Sequence, residues 1–370
     1  MTESPMRIDP VRLKETLKQL IDIYSPAGKE VEVLRYIEAV FKKYNVPYWS
    51  QPVDEHRYNL LVTPPSREIE LAMVGHVDTV MAPDLVHYGY REEGDLVVGL
   101  GSADMKGGCA AMVEAFLCLW ESGRRDLPVA LALVVGEEED GDGAQKLIRD
   151  VHFPRAVIGE PTDLKPCLGH FGYVEIHLTM RGERRHASLA NSTENPIQGM
   201  LRLLLQFSDY FQSARKDSVF NIRELSSSRA GFAVPEHCEA WLDVHLPPSS
   251  PLGDIVSEIE DLFHEQSSRC FQSLAGRLRF NMIHSGYTLP EKGLMVDVLK
   301  KLYQQRGMDW QTDTFPSHSD ANVFWSAGVK PILLGPGQLE KAHARDECVS
   351  FGQVVQAAQI YTDLLASFGS

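Results

Sequence analysis

The chain has few basic residues and no long apolar run. Its 370 residues include 36 Lys plus Arg against 51 Asp plus Glu, which gives a formal charge of −15. Nucleic acids and anionic membrane surfaces attract basic proteins, so this acid excess argues against both as partners. No apolar run reaches the roughly 18 residues that a membrane helix needs, and residues 1–16 lack the apolar core of a signal peptide. We therefore expect a cytoplasmic protein.

Paired cysteines and two common catalytic motifs are also missing. None of the six cysteines lies in a CxxC pair, which argues against a disulfide framework or a cysteine-rich zinc site. Neither the GxxxxGK(S/T) loop of nucleotide-binding proteins nor the GxSxG elbow of serine hydrolases occurs. We predict neither nucleotide binding nor catalysis by a nucleophilic serine.

Short apolar runs alternate with helical stretches in the first part of the chain. The runs begin at Asn59, Leu71, Val129 and Ala156. Apolar residues recur with helical spacing between residues 9 and 44 and again from residue 105. Continuous apolar runs interleaved with helices favour an α/β fold, in which a mixed, mostly parallel sheet lies between helices.

The pattern changes near Gly172. Residues 173–180 and 237–246 alternate apolar and polar side chains, which is typical of strands with one covered and one polar face. The first pattern returns after about residue 285, with an apolar run from Lys330. We therefore predict a main domain formed by 1–171 and 285–370, interrupted by an inserted α+β domain over 172–284.

Histidines and carboxylates follow the apolar runs of the main domain, where strands should end. They are His76, Asp78, Asp104, Glu137, Glu138, Glu160 and His343. Ligands in open α/β sheets bind at the carboxyl ends of the strands, so we expect these residues to converge. Two imidazoles and several carboxylates suit zinc or a similar divalent ion. Five plausible ligands, with a carboxylate able to bridge, suit two ions better than one.

The spacing also suggests individual roles. Of the adjacent Glu137 and Glu138, one can bind metal while the other acts as a general base. Asp78 lies two residues past His76 on an extended strand, so it can accept the second ring N–H of that histidine. Each segment alone has a simpler interpretation, since 137–140 reads as a solvated acidic loop and His76 as a hydrogen-bonded buried residue. Their conjunction at successive strand ends favours the metal site.

Seven segments together resemble a family of zinc-dependent amidohydrolases. This family includes acetylornithine deacetylase, succinyl-diaminopimelate desuccinylase, aminoacylase and glutamate carboxypeptidase. The matching segments of the main domain are GHVDTV, GSADMKGG, GEEEDG, GEPTD, SDAN and HARDE, and RGERRHAS matches in the inserted domain. The resemblance therefore spans almost the whole chain.

The resemblance implies a role for each candidate residue. One ion would be held by His76, Asp104 and Glu160. The other would be held by Asp104, Glu138 and His343. Glu137 would be the general base, Asp78 would orient His76, and His186 would be a lid histidine that stabilises the oxyanion in the partner subunit.

The resemblance also implies an activity and an assembly. We expect two divalent ions, zinc with cobalt or manganese as alternatives, and a homodimer formed through the inserted lid domain. A hydroxide bridging the ions would cleave small N-acyl-L-amino acids. The alternatives are a dipeptidase, tripeptidase or carboxypeptidase of the same family and a non-catalytic metal-binding protein. His245 stands where many relatives have an arginine that is a candidate for gripping the substrate carboxylate, and Arg223 or Arg229 are alternatives for that role.

Overall fold

The chain forms two compact units in the computed structural model, which describes residues 6–65, 68–82, 84, 88–190, 194–229, 231–270 and 274–368. Unit 1 comprises Met1–Leu168, Leu289–Phe315 and Ser319–Ser370. Unit 2 comprises Gly169–Thr288 and Pro316–His318. The predicted inserted domain, 172–284, starts three residues later and ends four residues earlier than the main segment of unit 2. The return of 316–318 to unit 2 was not predicted.

The first three helices lie where the sequence predicts helical spacing, between residues 9 and 44 and from residue 105. The helices are α1 (Pro10–Asp22), α2 (Val31–Lys43), α3 (Gly107–Glu121), α4 (Asp142–Asp150), α5 (Pro196–Ala214), α6 (Leu252–Cys270), α7 (Leu294–Gln305), α8 (Asp320–Ser326) and α9 (Phe351–Ser367). Helices α5 and α6 belong to unit 2. Three shorter helical turns are Ser102–Lys106, Ala187–Leu189 and Leu339–Lys341.

The strands follow in chain order. They are β1 (Trp49–Pro52), β2 (Tyr58–Val62), β3 (Leu71–His76), β4 (Arg91–Glu93), β5 (Leu96–Val98), β6 (Val129–Val134), β7 (Arg155–Ile158), β8 (Cys167–His170), β9 (Gly172–Arg181), β10 (Arg185–His186), β11 (Val219–Ser227), β12 (Ala233–Val234), β13 (His237–Leu246), β14 (Ala275–His284), β15 (Tyr287–Thr288), β16 (Asp313–Phe315), β17 (Lys330–Leu333) and β18 (Cys348–Ser350).

The sheet of unit 1 has a parallel centre. Strands β6, β3, β7 and β17 are neighbours in that order and run parallel, while β1 and β2 add an antiparallel edge beside β6. The central strands β3 and β6 are buried along their whole length, as expected where both faces of a sheet are covered. Helices α1, α3, α7 and α9 pack together, and α4 packs against α8. The predicted α/β class is confirmed.

The first helix illustrates how local sequence sets an element boundary. The Asp9 side chain accepts hydrogen bonds from the backbone N–H groups of Val11 and Arg12, and Pro10 occupies the first helical position. A capping carboxylate followed by a proline is typical of the start of a helix. Leu13, Leu17, Leu20 and Ile21 are buried along one face, so the predicted amphipathic helix is confirmed.

Unit 2 is built on an antiparallel sheet with the order β11-β13-β9-β14. Helices α5 and α6 pack on this sheet, and Val174, Ile176, Leu178 and Met180 of β9 are fully buried in the core between them. The alternate residues of β9 and β13 carry polar side chains. The predicted alternation of a covered and a polar face is therefore present.

No helix within the described ranges is both long and apolar enough to cross a bilayer. Cys109, Cys118, Cys167 and Cys238 are free and buried, and Cys348 is free and partly exposed.

Candidate metal centre

The candidate residues of unit 1 come from the carboxyl ends of its parallel strands. His76 is the last residue of β3, and the sheet register sets it opposite Val134, the last residue of β6. Glu137 and Glu138 follow β6 by three and four residues, and Glu160 follows β7 by two. Because parallel strands end at one edge of the sheet, the fold delivers these side chains to one place.

One half of the site surrounds the His76 imidazole. Its Nε2 atom lies 3.2 Å from Asp104 Oδ1 and 3.9 Å from both Glu160 Oε1 and Glu137 Oε2. Only 1% of the His76 side chain is exposed. The atoms of His76, Asp104 and Glu160 lie close enough together to surround one metal ion.

The other half surrounds His343, and Asp104 joins the two halves. Asp104 Oδ2 lies 3.4 Å from His343 Nε2, which is in turn 3.0 Å from Glu138 Oε2. Among the described residues, three groups bring candidate ligand atoms within 4.8 Å of one another. Two of them are His76–Asp104–Glu160 and Asp104–Glu138–His343, and the third is His76–Glu137–Glu138. Asp104 thus presents one oxygen to each histidine.

Glu347 holds the backbone of Asp104 and was missed as a functional residue. The backbone N–H groups of Gly101, Ala103 and Asp104 donate to its carboxylate over 2.8, 2.9 and 3.0 Å. Only 2% of Glu347 is exposed, and burial raises its pKa to about 7. Its place at the end of the HARDE segment, four residues past His343, was the available signal.

The electrostatics of the site fit a bound cation. Burial, followed by repulsion among neighbouring carboxylates, raises the pKa of Glu137 and of Glu160 well above the usual value. Glu160 Oε1 is buried and has no hydrogen-bond partner among the described residues. Burial opposes protonation of His343, but its hydrogen bond with Glu138 and the nearby acids raise its pKa to about 9. Divalent cations would offset this concentration of buried negative charge, so the donor set fits the ions that the sequence predicts.

Asp78 contacts His76 differently from the expected arrangement. The nearest acceptor to His76 Nδ1 is the backbone carbonyl oxygen of Asp78 at 3.1 Å, whereas the Asp78 carboxylate Oδ1 is 3.7 Å away. The other carboxylate oxygen accepts from the backbone N–H of Glu138 at 3.0 Å. Asp78 therefore links the loop that carries Glu138 to the end of β3, and a carbonyl sets the tautomer of His76.

Asp320 adds a carboxylate that only the SDAN segment pointed to. It is the first residue of α8 and is 2% exposed, and no residue in the described part of the chain donates a hydrogen bond to its Oδ1 atom. Burial raises its pKa to about 7, and its charge raises the pKa of both Glu137 and Glu160. Asp320 therefore belongs to the same electrostatic cluster of unit 1.

His186 lies in unit 2, on the exposed strand β10. The backbone N–H of Ser188 donates to its Nδ1 at 3.2 Å, and the Ser188 hydroxyl oxygen lies 2.8 Å from the same atom. Because Nδ1 accepts, the neutral ring carries its proton on Nε2. The geometry therefore leaves an N–H donor at the outer end of this side chain.

The chain is similar to a known protein family and to proteins of known activity. Residues 72–367 match the family model described as peptidase family M20/M25/M40. Acetylornithine deacetylase of Pasteurella multocida (strain Pm70) is 27% identical over 331 residues, which cover 84% of this chain and 84% of that protein.

Solved structures have the same fold. A tripeptidase from Staphylococcus aureus subsp. aureus Mu50 is similar with a TM-score of 0.79 at 18% identity, over 98% of this chain and 100% of that one. An M20 family metallo-carboxypeptidase from Sulfolobus solfataricus is similar with a TM-score of 0.76 at 14% identity, over 96% and 99%.

Proposed function

Because the chain belongs to the peptidase family M20/M25/M40, we propose that it is a deacylase that cleaves the amide bond of small N-acyl-L-amino acids. Family membership confirms the resemblance of its segments and makes it a metallo-hydrolase of amide bonds. Its similarity to an acetylornithine deacetylase supports the substrate class. The observation that carries the proposal is the pair of ligand groups that share Asp104.

Two divalent ions fit these residues, with zinc as the proposed metal. His76, Asp104 and Glu160 would hold one ion, and Asp104, Glu138 and His343 the other. Ions in such a pair polarise a carbonyl group and lower the pKa of water. The fixed Glu347 contacts keep Asp104 in position to serve both groups.

Glu137 is the proposed general base. Its carboxylate lies beside His76 without belonging to either of the two ligand groups that share Asp104. It takes a proton from the attacking water and later returns that proton to the leaving amine. The products are a carboxylate and a free amino acid. Burial raises the pKa of Glu137, which favours the protonated form that the second step needs.

His186 is the proposed donor to the oxyanion. Its Nε2–H would stabilise negative charge on the carbonyl oxygen of a substrate held by the partner subunit. This role requires a homodimer formed through unit 2, which we propose on the same grounds.

The free cysteines of the described ranges support a reducing, cytoplasmic location.

The Glu137→Gln variant tests the catalytic role. Its amide group keeps the shape of the side chain but cannot accept the proton, so turnover should fall by at least about two orders of magnitude. Bound metal, measured by elemental analysis, should stay at two ions per chain. The exposed neighbour offers a matched control, Glu139→Gln, which should retain full activity. Unchanged turnover in Glu137→Gln would refute the assignment.

Subunit mixing tests His186. A His186→Ala homodimer and a Glu137→Gln homodimer should each be inactive. After subunit exchange, a mixed dimer should regain activity, because one site then combines an intact Glu137 with an intact His186 from the partner. No recovery, with exchange verified, would rule out the partner-subunit role.

A further inference from the structure

One loop of unit 1 carries both Glu137 and Glu138, and its two ends meet. We call it the acid loop and define it as residues 135–143, which follow β6 and include the start of α4. The Gly143 N–H donates to the Val135 carbonyl oxygen at 3.1 Å. A Cβ atom at position 143 would overlap that same oxygen, so the loop can close in this way only with glycine there.

A side chain from the neighbouring strand joins the two ends of the acid loop. Strand β2 runs antiparallel to β6, with Leu60 opposite Leu133, so the start of β2 lies beside the end of β6. Asn59, the second residue of β2, is fully buried. Its Oδ1 atom accepts from the Val135 N–H at 3.2 Å, and its Nδ2 atom donates to the Gly143 carbonyl oxygen at 2.8 Å. One amide group therefore satisfies a backbone group at each end of the loop.

A second side chain holds the point where the acid loop becomes helix α4. Arg57 directly precedes β2, and its guanidinium group binds both carboxylate oxygens of Asp142, the first residue of α4. Its Nε atom also donates to Asp54 Oδ2 at 2.6 Å, which fixes the guanidinium plane. Two-point binding of a carboxylate by arginine is strong and sets its orientation. Arg57 and Asn59 therefore hold adjacent residues of the same loop.

The two glutamates depend on this loop to different degrees. Glu138 has contacts of its own, because its N–H donates to Asp78 at 3.0 Å and its carboxylate lies 3.0 Å from His343 Nε2. The Glu137 Oε2 atom lies 3.9 Å from His76 Nε2, which is beyond hydrogen-bonding distance. The backbone of the acid loop, rather than a hydrogen bond to that ring, therefore sets the position of the Glu137 carboxylate.

We propose that Asn59 and Arg57 are positioning residues, which keep the acid loop closed and so fix the Glu137 carboxylate beside His76. This inference rests on the proposed function, in which Glu137 transfers the proton. A displacement of about 1 Å can cost roughly 100-fold in rate. Opening the loop should therefore lower turnover, while the separate contacts of Glu138 keep the metal ligands in place.

Two variants open the acid loop from different sides, Asn59→Ala and Arg57→Gln. In the full-length, zinc-loaded protein, hydrogen–deuterium exchange of residues 135–143 should become at least about tenfold faster in each, with β3 unchanged. With N-acetylornithine as the probe, kcat should fall about 10–100-fold at unchanged KM, and two zinc ions should stay bound. The matched control is Tyr58→Phe, which removes a 3.0 Å hydrogen bond to Glu38 on the same strand and should change neither exchange nor kcat.

Three results would overturn the proposal. They are unchanged exchange of the acid loop in both variants, faster exchange with an unchanged kcat, and a fall in kcat that simply follows loss of zinc. The Arg57 side chain is 18% exposed, so Arg57→Gln decides the question if Asn59→Ala does not fold. Exchange does not depend on turnover. A wild-type protein that cleaves no amide would refute the deacylase, and exchange alone would then decide whether Asn59 and Arg57 close the loop.

Discussion

At the scale of single residues, Glu347 controls the geometry of Asp104 without being a ligand. The Glu347 carboxylate uses both of its oxygens to accept hydrogen bonds from the backbone N–H groups of Gly101, Ala103 and Asp104. A glutamine side chain has only one oxygen that can accept them. Glu347→Gln should therefore loosen Asp104 and lower metal affinity about 10–100-fold, the usual effect of disturbing residues that orient ligands. Competition with a chelator measures that affinity.

A control on the same segment separates this effect from a general loss of charge. Glu340 is exposed on the turn Leu339–Lys341, so Glu340→Gln should bind metal like the wild type. If Glu347→Gln and Glu340→Gln behaved alike, Glu347 would have no positioning role.

The sequence predicts where a site residue lies when that residue comes directly after a strand. His76, Glu137 and Glu160 could be placed at one edge because parallel strands end together. The contacts of Asp78 and Glu347 depend on backbone groups of distant loops, as in the donation from Glu138 N–H to Asp78. Side-chain type and spacing do not reveal which backbone groups lie within reach, so these partners required the structure.

At the scale of elements, a buried ion pair fixes α1 against α3. Arg12 Nε lies 2.7 Å from Glu114 Oε2, and the two side chains are 10% and 1% exposed. Arg12→Met would leave the Glu114 carboxylate buried without its cation and should destabilise the protein by roughly 3–5 kcal/mol. Urea unfolding measures this loss.

Lys14→Met provides the matched comparison on the same helix. Lys14 pairs with Glu92 at 2.9 Å, but both side chains are almost half exposed, so the loss should be small beside that of Arg12→Met. Similar losses of unfolding free energy in the two variants would mean that the burial of Glu114 does not increase the contribution of its ion pair to stability.

The elements that sequence patterns missed are those without a fully covered face. Strands β9 and β13 were predicted because apolar and polar residues alternate along them in the sequence. Strands β11 and β14 are the edges of the same sheet, and their residues are mostly exposed or only half-buried. Strand β14 does alternate polar and apolar residues over 277–282, so that signal was available and was overlooked. A bulge between Ile222 and Glu224 interrupts the alternation of β11.

At the scale of the whole molecule, unit 2 should limit stability in acid. Burial lowers the pKa of His170 to about 4, against roughly 6.5 for an unfolded histidine. Above pH 6.5 His170 is neutral in both the folded and the unfolded protein, so it does not lower the free energy of unfolding. Between pH 6.5 and 4 the unfolded state binds a proton that the native state refuses, so stability falls as the pH falls.

His170→Asn isolates that contribution. Asparagine can replace the donation from Nδ1 to the Phe171 carbonyl, observed at 2.7 Å, but it does not titrate. Between pH 7 and pH 5 the variant should lose about 2 kcal/mol less unfolding free energy than the wild type. Urea midpoints at the two pH values measure the difference. His264→Gln changes an exposed histidine and should keep the wild-type pH dependence. If His170→Asn also kept it, His170 would not be the source of the loss of stability in acid.

The protein should cleave an acylated amino acid only when metal ions are bound around Asp104. The most direct test is release of free amine from a panel of N-acetyl and N-succinyl amino acids and dipeptides, with zinc or cobalt restored to metal-stripped protein. We predict metal-dependent release from an acyl-amino acid, which would also identify the acyl group. Release from peptides alone would make the protein a peptidase. No release from any member of the panel, with two ions shown to be bound, would refute the proposed hydrolysis of an amide bond.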